Sequence, residues 1–276
     1  MVVPVKRLAA AKSRLRGALP AVPHEELALA LAADTVAAVR ACPAVAGVLV
    51  VTDDARVAEA ARRAGARTLP DAPGAGLNAA FRHGASAAGG GWVAGLTADL
   101  PALRPAELAA ALRAAQAAPP GVRRYVADAP GQGTVLLAAP PGVALDPRFG
   151  VGSADAHAAS GALALTGDWP SLRRDVDTAD DLAAAARLGL GPRTAALAAG
   201  CPASGACSVR GMQGTVATYD AATRSGTLLL DDGTELAFPA RAFDASGLRL
   251  LRLGQRLRVE TDATGAVVRV TLPTMA

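Results

Sequence analysis

The sequence contains little lysine, few aromatic residues and no long apolar run. Of the 28 basic residues among 276, only Lys6 and Lys12 are lysines, and aromatic residues make up 3% of the chain. No stretch approaches the roughly 18 uninterrupted apolar residues that span a bilayer. The N-terminus is apolar first and charged second, which is the wrong order for a signal peptide. We therefore expect a cytoplasmic protein without a membrane anchor and with an aliphatic core.

Several common functional signatures are also missing. Cys42, Cys201 and Cys207 form neither an even disulfide framework nor a zinc-binding spacing, so reduced thiols are expected. There is no Walker A sequence, and no dinucleotide fingerprint lies between a strand and a helix. None of the three histidines adjoins a serine or cysteine in a nucleophile motif, so each is interpreted as a solvated or core residue: His24, His83 and His157.

The charge distribution favours a small anionic substrate. The net charge is +4, and the basic excess lies in residues 1–210, whereas residues 211–276 are balanced. An excess of this size is weak support for nucleic-acid binding. Lys6 and Lys12 follow the first apolar segment, and a compact ammonium group is a good ligand for phosphate. Chance clustering in a solvated loop explains these two lysines equally well.

The first 120 residues alternate apolar strands with helical segments, and this pattern predicts an open, mostly parallel, Rossmann-like α/β sheet. Ligands of such sheets bind at the carboxyl ends of the strands. The predicted first domain spans residues 1–198, and the Ala-, Gly- and Ser-rich residues 199–210 form a linker. Five short strands separated by turns then predict a small closed all-β barrel of the OB type at residues 211–276.

Three aspartates are candidate metal ligands. Asp175 and Asp177 flank Val176, and at a strand end both would lie on one face. Thr178 is predicted to cap the next helix, with Asp181 as its capping-box partner. Asp99 follows another predicted strand, and three converging carboxylates would require a divalent cation such as Mg²⁺. The alternative is that these aspartates only cap turns.

Glycine-rich loops lie near these aspartates in the predicted sheet. Loops 74–76 and 131–133 can direct main-chain N–H groups toward an anion, and residues 149–153 lead into a helix N-terminus. Each signal is weak because most glycines only form turns.

Several short motifs occur in order along the first 178 residues. They are Val3-Pro4-Val5-Lys6, Ala11-Lys12-Ser13-Arg14-Leu15, Gly76-Leu77-Asn78-Ala79-Ala80, Ala98-Asp99-Leu100-Pro101, Gly133-Thr134, residues 147–153 and Arg174-Asp175-Val176-Asp177-Thr178. This ordered set resembles the 2-phospho-L-lactate / phosphoenolpyruvate guanylyltransferases. The resemblance covers about residues 1–195 and implies a nucleotidyltransferase fold like that of molybdenum-cofactor guanylyltransferases. It also implies GTP as donor, Mg²⁺ as cofactor and a role in the biosynthesis of the deazaflavin coenzyme F-420.

The resemblance also implies roles for individual residues. Asp99, Asp175 and Asp177 would hold the metal, and Thr134, Gly150 and Ser153 would bind the phosphorylated three-carbon acid. We expect the catalytic residues to be Lys6, Lys12 and Asp99. We expect the nucleotide to be bound by Lys12, Arg14, Gly76 and Asn78. The composition resembles that of actinobacterial members, which implies phosphoenolpyruvate rather than 2-phospho-L-lactate as the acceptor.

Charge considerations agree with this resemblance. GTP and phosphoenolpyruvate are both polyanions, so cations are needed to bring them together. An ionised acceptor phosphate needs no general base to attack the α-phosphorus in line, and positioning and charge neutralisation supply the catalysis. Two other hypotheses stay open. The protein could be another nucleotidyl- or sugar-transferase of this fold, or a binding protein that binds nucleic acid or a partner through its C-terminal barrel.

The C-terminal segment lies outside that resemblance and looks like a cold-shock barrel. Residues 214–220 and 225–228 carry the likeness, but the positions expected to stack bases are not aromatic: Thr227, Leu229 and Ala237. We therefore expect a structural or partner-contact role and no nucleic-acid partner. No pattern indicates an oligomeric state.

Overall fold

The structure is a computed structural model. It describes residues 1–10, 15, 18–19, 22–72, 74–117, 119–200, 212–230, 233–246, 248, 250–261 and 267–272. The chain divides into two compact units, Met1–Cys201 and Pro202–Ala276, each with its own sheet. Across the described ranges, no helix combines the length and apolar character needed to cross a bilayer.

The first unit is built on a seven-stranded sheet of order β3-β2-β1-β4-β6-β5-β7. Pairs β1–β2, β2–β3, β1–β4 and β5–β7 are parallel, whereas β6 runs antiparallel to both of its neighbours. The mostly parallel α/β sheet expected from the sequence is thus confirmed. Its strands are β1 (Val2–Pro4), β2 (Leu49–Val51), β3 (Arg67–Leu69), β4 (Val93–Leu96), β5 (Arg124–Ala127), β6 (Thr134–Ala139) and β7 (Leu163–Ala164).

Apolar residues on both faces explain why helices cover both sides of this sheet. Val3 and Leu136 belong to one buried cluster, whereas their chain neighbours Val2 and Leu137 belong to another. Successive strand residues point to opposite faces, so a continuous apolar strand requires cover on both. The helices are α1 (His24–Ala41), α2 (Ala55–Arg63), α3 (Leu77–Ser86), α4 (Pro105–Ala117), α5 (Ser153–Ala159), α6 (Pro170–Arg173), α7 (Ala179–Leu188) and α8 (Pro192–Gly200).

Helix α6 lies where the sequence pattern indicated a strand end, so that expectation was wrong. Pro170 occupies its first turn, where a proline is preorganised for helix. The Ser171 N–H donates to the Glu107 carboxylate of α4 at 2.8 Å, which ties this one-turn helix to its neighbour. Helix α8 also extends to Gly200, two residues into the predicted linker, whose other residues lie outside the described ranges.

The second unit contains the five expected strands in an antiparallel sheet of order β10-β9-β8-β11-β12. A closed barrel was expected, but in the described part of this unit the sheet is a half-barrel without hydrogen bonds between β10 and β12. Helix α9 buries Ala242 and Phe243 in the same apolar cluster as Val270 of β12. The elements are β8 (Met212–Asp220), β9 (Ser225–Leu230), β10 (Glu235–Phe238), α9 (Ala240–Asp244), β11 (Arg256–Thr261) and β12 (Val267–Thr271).

Candidate active site at the carboxyl edge of the larger sheet

Three of the candidate residues lie at one edge of the seven-stranded sheet. The chain runs from β1 outward to β3 and then returns to β4 on the other side of β1, where Val2 pairs with Gly95. Lys6 follows β1 and Asp99 follows β4, and because β6 is antiparallel its first residue, Thr134, lies at the same edge. Such a reversal of strand order opens a crevice that binds ligands in α/β proteins.

The main chain joins Asp99 to the second aspartate segment. The Val176 N–H donates a hydrogen bond to the Asp99 carbonyl oxygen at 3.0 Å. The side chain of Val176 is buried in an apolar cluster, while Asp175 is half-buried and Asp177 is exposed. The two aspartates lie in the loop between α6 and α7 and not at a strand end, and the main chain of this loop contacts the main chain of Asp99.

The capping box predicted at the start of α7 is confirmed. The Asp181 N–H donates to Thr178 Oγ1 at 3.2 Å, and the Asp181 carboxylate accepts the Thr178 N–H at 2.9 Å. The same carboxylate accepts the Asp177 N–H at 3.2 Å. Helix α7 therefore fixes the main chain of the segment that carries the candidate ligands.

Helix α1 holds the Asp99 loop from the other side, through residues that the sequence reasoning did not single out. The Leu100 N–H donates to Oγ1 of the fully buried Thr35 at 2.9 Å, and the Thr35 hydroxyl donates to the Leu31 carbonyl at 2.8 Å. Adjacent Asp34 accepts the N–H groups of Arg193 and Thr194 at 3.1 and 2.7 Å and so caps α8. The sequence feature that could have identified them is the pair Asp34-Thr35, two consecutive polar residues inside an otherwise apolar helix.

The aspartates fit Mg²⁺ in chemistry but do not form a cage by themselves. In the part of the chain that the structure describes, no group of three or more His, Cys, Asp or Glu side chains is arranged to hold a metal. Mg²⁺ usually binds through one or two carboxylates and completes its shell with waters and substrate phosphates. Carboxylates on two loops joined by a main-chain hydrogen bond suit that mode of binding.

A pocket of about 330 Å³ opens beside β1 and the start of α3. Lys6, Arg7 and Gly76 line it together with Asp53 and Asp71. Gly76 caps α3 with a φ of +92°, a left-handed conformation that favours glycine. The pocket is thus lined by Lys6, which was assigned to catalysis, and by Gly76, which was assigned to nucleotide binding. Two further members of these groups, Lys12 and Arg14, lie outside the described residues.

Asp54, next to the pocket residue Asp53, connects the loop after β1 to α2. Its carboxylate accepts the Leu8 N–H at 3.0 Å and caps α2 by accepting the N–H groups of Arg56 and Val57. Burial raises the pKa of Asp54, but these hydrogen bonds more than offset it, so its pKa lies below the ordinary value. The carboxylate stays ionised at neutral pH and ties the loop after β1 to α2.

Asn78, which was assigned to nucleotide binding, forms two hydrogen bonds with the main chain of Phe149, the residue before Gly150. Its amide nitrogen donates to the Phe149 carbonyl at 2.9 Å, and its amide oxygen accepts the Phe149 N–H at 2.8 Å. The Phe149 ring stacks on the ring of Phe81, which lies in α3 with Asn78, with the ring centroids 4.2 Å apart. Helix α3 therefore holds the loop that precedes Gly150, and nucleotide binding by Asn78 stays a prediction.

His157 of α5 connects the predicted acceptor residues. Thr134 Oγ1 lies 2.9 Å from its Nδ1, and the Arg148 N–H donates to its Nε2 at 2.9 Å. Ser153, one helical turn earlier, has a main-chain hydrogen bond with Gly150 at 3.1 Å. Burial is the main cause that lowers the pKa of His157 to about 4, against a smaller opposing effect of the Ser153 main chain. Sequence reasoning placed His157 only as solvated or core.

The loop 131–133 does not present its N–H groups to a ligand, contrary to expectation. The Asp128 carboxylate accepts the N–H groups of Gln132 and Gly133 at 2.9 and 2.8 Å. A side chain at Gly133 would approach that carboxylate to 2.4 Å. The glycine is required for this internal turn, which sets the start of β6 and hence Thr134.

Comparison with known proteins identifies the family. A model of the MobA-like NTP transferase domain matches residues 13–229. The chain is 76% identical over 197 residues to the phosphoenolpyruvate guanylyltransferase of Salinispora arenicola, covering 71% of this chain and 92% of that protein. It is 59% identical over 205 residues to the enzyme of that name from Geodermatophilus obscurus, covering 72% and 94%.

A solved structure shares the fold. A nucleotidyl transferase from Methanothermobacter thermautotroptrophicus aligns with a TM-score of 0.51 at 22% identity, over 68% of this chain and 97% of the other. That likeness concerns the fold alone, whereas the two relatives above match at high identity over nearly their full length. The chain therefore belongs to the phosphoenolpyruvate guanylyltransferase family and carries its MobA-like NTP transferase domain.

Proposed function

We propose that this protein is a Mg²⁺-dependent guanylyltransferase that transfers GMP from GTP to phosphoenolpyruvate. A phosphate oxygen of the acceptor attacks the α-phosphorus of GTP, and the bond from that phosphorus to the pyrophosphate oxygen breaks. The products are enolpyruvyl-diphospho-guanosine and pyrophosphate. The observation that carries the proposal is the hydrogen bond between Val176 and Asp99, which joins two carboxylate loops at the crevice of a nucleotidyltransferase sheet.

Asp99, Asp175 and Asp177 would hold the metal ion, which when bound neutralises phosphate charge between the two substrates. Lys6 and Arg7 are exposed on the pocket beside β1 and would neutralise the triphosphate. Lys12 and Arg14 belong to this group by the family resemblance.

Thr134, Gly150 and Ser153 would bind the acceptor. Thr134 and Ser153 contact His157, and Gly150 accepts a main-chain hydrogen bond from Ser153. All three residues therefore lie in one small region at the start of β6 and of α5. No general base is needed, because the attacking oxygen is already ionised. Consistent with this, both nitrogens of the nearest histidine, His157, are engaged in hydrogen bonds.

The product would serve the biosynthesis of the deazaflavin coenzyme F-420, as the family resemblance implies. The direct test is pyrophosphate release from GTP and Mg²⁺ with either phosphoenolpyruvate or 2-phospho-L-lactate, and with ATP, CTP or UTP replacing GTP. We expect turnover with GTP and phosphoenolpyruvate above that of every other pair. Higher turnover with 2-phospho-L-lactate would reassign the acceptor, and turnover with another nucleotide would reassign the donor. No turnover with any pair would overturn the proposal.

A further inference from the structure

His157 is fully buried at the centre of the predicted acceptor site, yet the proposed reaction gives it no chemical task. Its two ring nitrogens contact different elements: Thr134 of β6 and the main chain of Arg148 in the loop before α5. Its ring also lies edge-on to Phe149 with centroids 5.2 Å apart. A residue that joins a strand to a loop in this way can set the geometry of both.

The hydrogen bonds fix which nitrogen carries the proton. A main-chain N–H can only donate, so Nε2 of His157 must accept from Arg148 through its lone pair. A neutral imidazole whose Nε2 bears the lone pair carries its hydrogen on Nδ1. The Nδ1–H lies toward Thr134 Oγ1, and the threonine oxygen must therefore act as the acceptor of this bond.

The direction of that bond leaves the threonine proton available. A hydroxyl has one proton to donate, and Thr134 does not donate it to the ring. Within the described residues the Thr134 hydroxyl has no other hydrogen-bond partner. A hydroxyl whose proton is not used within the described protein can donate it to an oxygen of an anionic acceptor, such as a phosphate or carboxylate.

We propose that His157 is a positioning residue that fixes the Thr134 hydroxyl as a hydrogen-bond donor to the anionic acceptor and anchors the loop leading to Gly150. This inference rests on the proposed function, since that function supplies the acceptor. His157 thereby sets the direction of the hydrogen bond at the Thr134 hydroxyl, and a hydroxyl held as a donor favours an anion at this position.

The tautomer can be measured on the unmodified protein. We expect long-range ¹H–¹⁵N correlation spectra of ¹⁵N-histidine-labelled protein at pH 7 to show His157 neutral with its hydrogen on Nδ1. The variant His157→Gln assigns the signal among the three histidines. A hydrogen on Nε2, or a protonated ring, would overturn the inference regardless of whether any substrate turns over.

Two substitutions separate the two contacts. The amide of asparagine reaches about the position of Nδ1 and that of glutamine the position of Nε2, so His157→Asn keeps a donor for Thr134 while His157→Gln keeps an acceptor for Arg148. Both lose the ring. We expect His157→Gln to raise the KM for phosphoenolpyruvate roughly tenfold, as loss of a hydrogen bond to a charged group does. His157→Asn should raise it less, and the KM for GTP should stay within about twofold in both.

Removal of the hydroxyl completes the test. Thr134→Val should raise the KM for phosphoenolpyruvate as much as His157→Gln does, and Thr134→Ser, which keeps a hydroxyl, should have nearly the wild-type KM. The double variant with both Thr134→Val and His157→Gln should show no further rise in this KM, because the two residues act as a unit. His83→Asn on α3 is the control and should match the wild type. Additive effects, or equal rises in both KM values, would refute the inference, whereas an inactive wild-type protein would refute the proposed function.

Discussion

The side-chain amide of Asn78 makes two hydrogen bonds with the main chain of Phe149, 71 residues further along the chain, at 2.9 and 2.8 Å. One bond uses the amide as donor and the other as acceptor, so no residue without both groups can replace it. Asn78 lies in the first turn of α3, beside the pocket that contains Lys6, whereas Phe149 precedes Gly150 and Ser153, the predicted acceptor residues. The predicted donor and acceptor regions are therefore joined directly.

Replacing Asn78 with aspartate should weaken the contact between α3 and the Phe149 main chain. A carboxylate oxygen would then face the Phe149 carbonyl oxygen, to which the Asn78 amide now donates. We expect a loss of about 1–3 kcal/mol in the free energy of unfolding and a raised KM for phosphoenolpyruvate. Urea denaturation and steady-state kinetics measure the two effects. Ser86→Ala at the far, exposed end of α3 is the control, and an Asn78→Asp protein as stable and active as this control would contradict the prediction.

Asp177→Asn should abolish turnover and leave the fold intact, because an amide is a weak Mg²⁺ ligand and the residue is exposed. The decisive comparison is with Asp180→Asn, which removes another exposed carboxylate two residues beyond Thr178 and should keep activity. Circular dichroism establishes folding, and Mn²⁺ titration followed by electron paramagnetic resonance measures metal binding directly. Metal binding by Asp177→Asn equal to that of the wild type would remove Asp177 from the metal site.

Thr35→Val should weaken metal binding without touching any ligand. The substitution preserves shape but leaves the buried Leu100 N–H without its acceptor, which costs about 1–3 kcal/mol. We expect a lower kcat and a higher half-saturating Mg²⁺ concentration, with recovery in Thr35→Ser. The control is Thr194→Val, since Thr194 is equally buried and its hydroxyl has no hydrogen-bond partner among the described residues. Identical Mg²⁺ dependence in Thr35→Val and Thr194→Val would show that Thr35 does not position Asp99.

Lys6→Ala should raise the KM for GTP, because the ammonium group adjoins the pocket beside β1 and a triphosphate binds there only with its charge neutralised. The effect should weaken at high ionic strength, where exposed charges are screened. Arg67→Ala removes an exposed cation from β3 and should leave the KM unchanged. A larger effect on the KM for phosphoenolpyruvate than for GTP would place Lys6 in the acceptor site instead.

Stability should fall as the pH is lowered from 7 toward 4, partly through His157. Its folded pKa of about 4 lies below the ordinary value of 6.5, so between these values the unfolded chain binds a proton that the folded chain does not. The stabilisation is fully present above pH 6.5 and is lost as the pH approaches 4. The full difference corresponds to about 3 kcal/mol.

His157→Gln isolates this contribution. Denaturation midpoints between pH 7 and pH 5 should fall less steeply in this variant than in the wild type. The surrounding charges oppose one another, since Arg123 and Arg148 lower the pKa of His157 and Asp146 raises it. Parallel pH profiles for the two proteins would mean that His157 titrates near its ordinary value.

Local sequence patterns were sufficient for most of the elements. The alternation of strands and helices over the first 120 residues and the capping box of Thr178 and Asp181 are both present as expected. Period and capping are local properties, so a short window contains the information. The short helix α6 was missed because its stability comes from contacts with Glu107 of α4 rather than from its own four residues.

The sequence could suggest residue types for the candidate site but not how those residues are arranged. The aspartates, the acceptor residues and Lys6 were all selected from motifs, while Thr35, Asp34 and the role of His157 were not. Each of these three is buried and has a hydrogen-bond partner at least nine positions away, which neighbouring residues in the sequence do not reveal.

The sequence alone determined an alternating α/β unit followed by a small β unit, and it marked the candidate carboxylates and the predicted acceptor residues by residue type and order. Tertiary structure decided that β1 pairs with β4, that β6 runs antiparallel and brings Thr134 to the same edge, and that Val176 bonds to Asp99. Hydrophobic periodicity specifies which face of an element is buried, whereas strand order and long-range hydrogen bonds depend on which faces pack together. Only that packing converts scattered residues into one site.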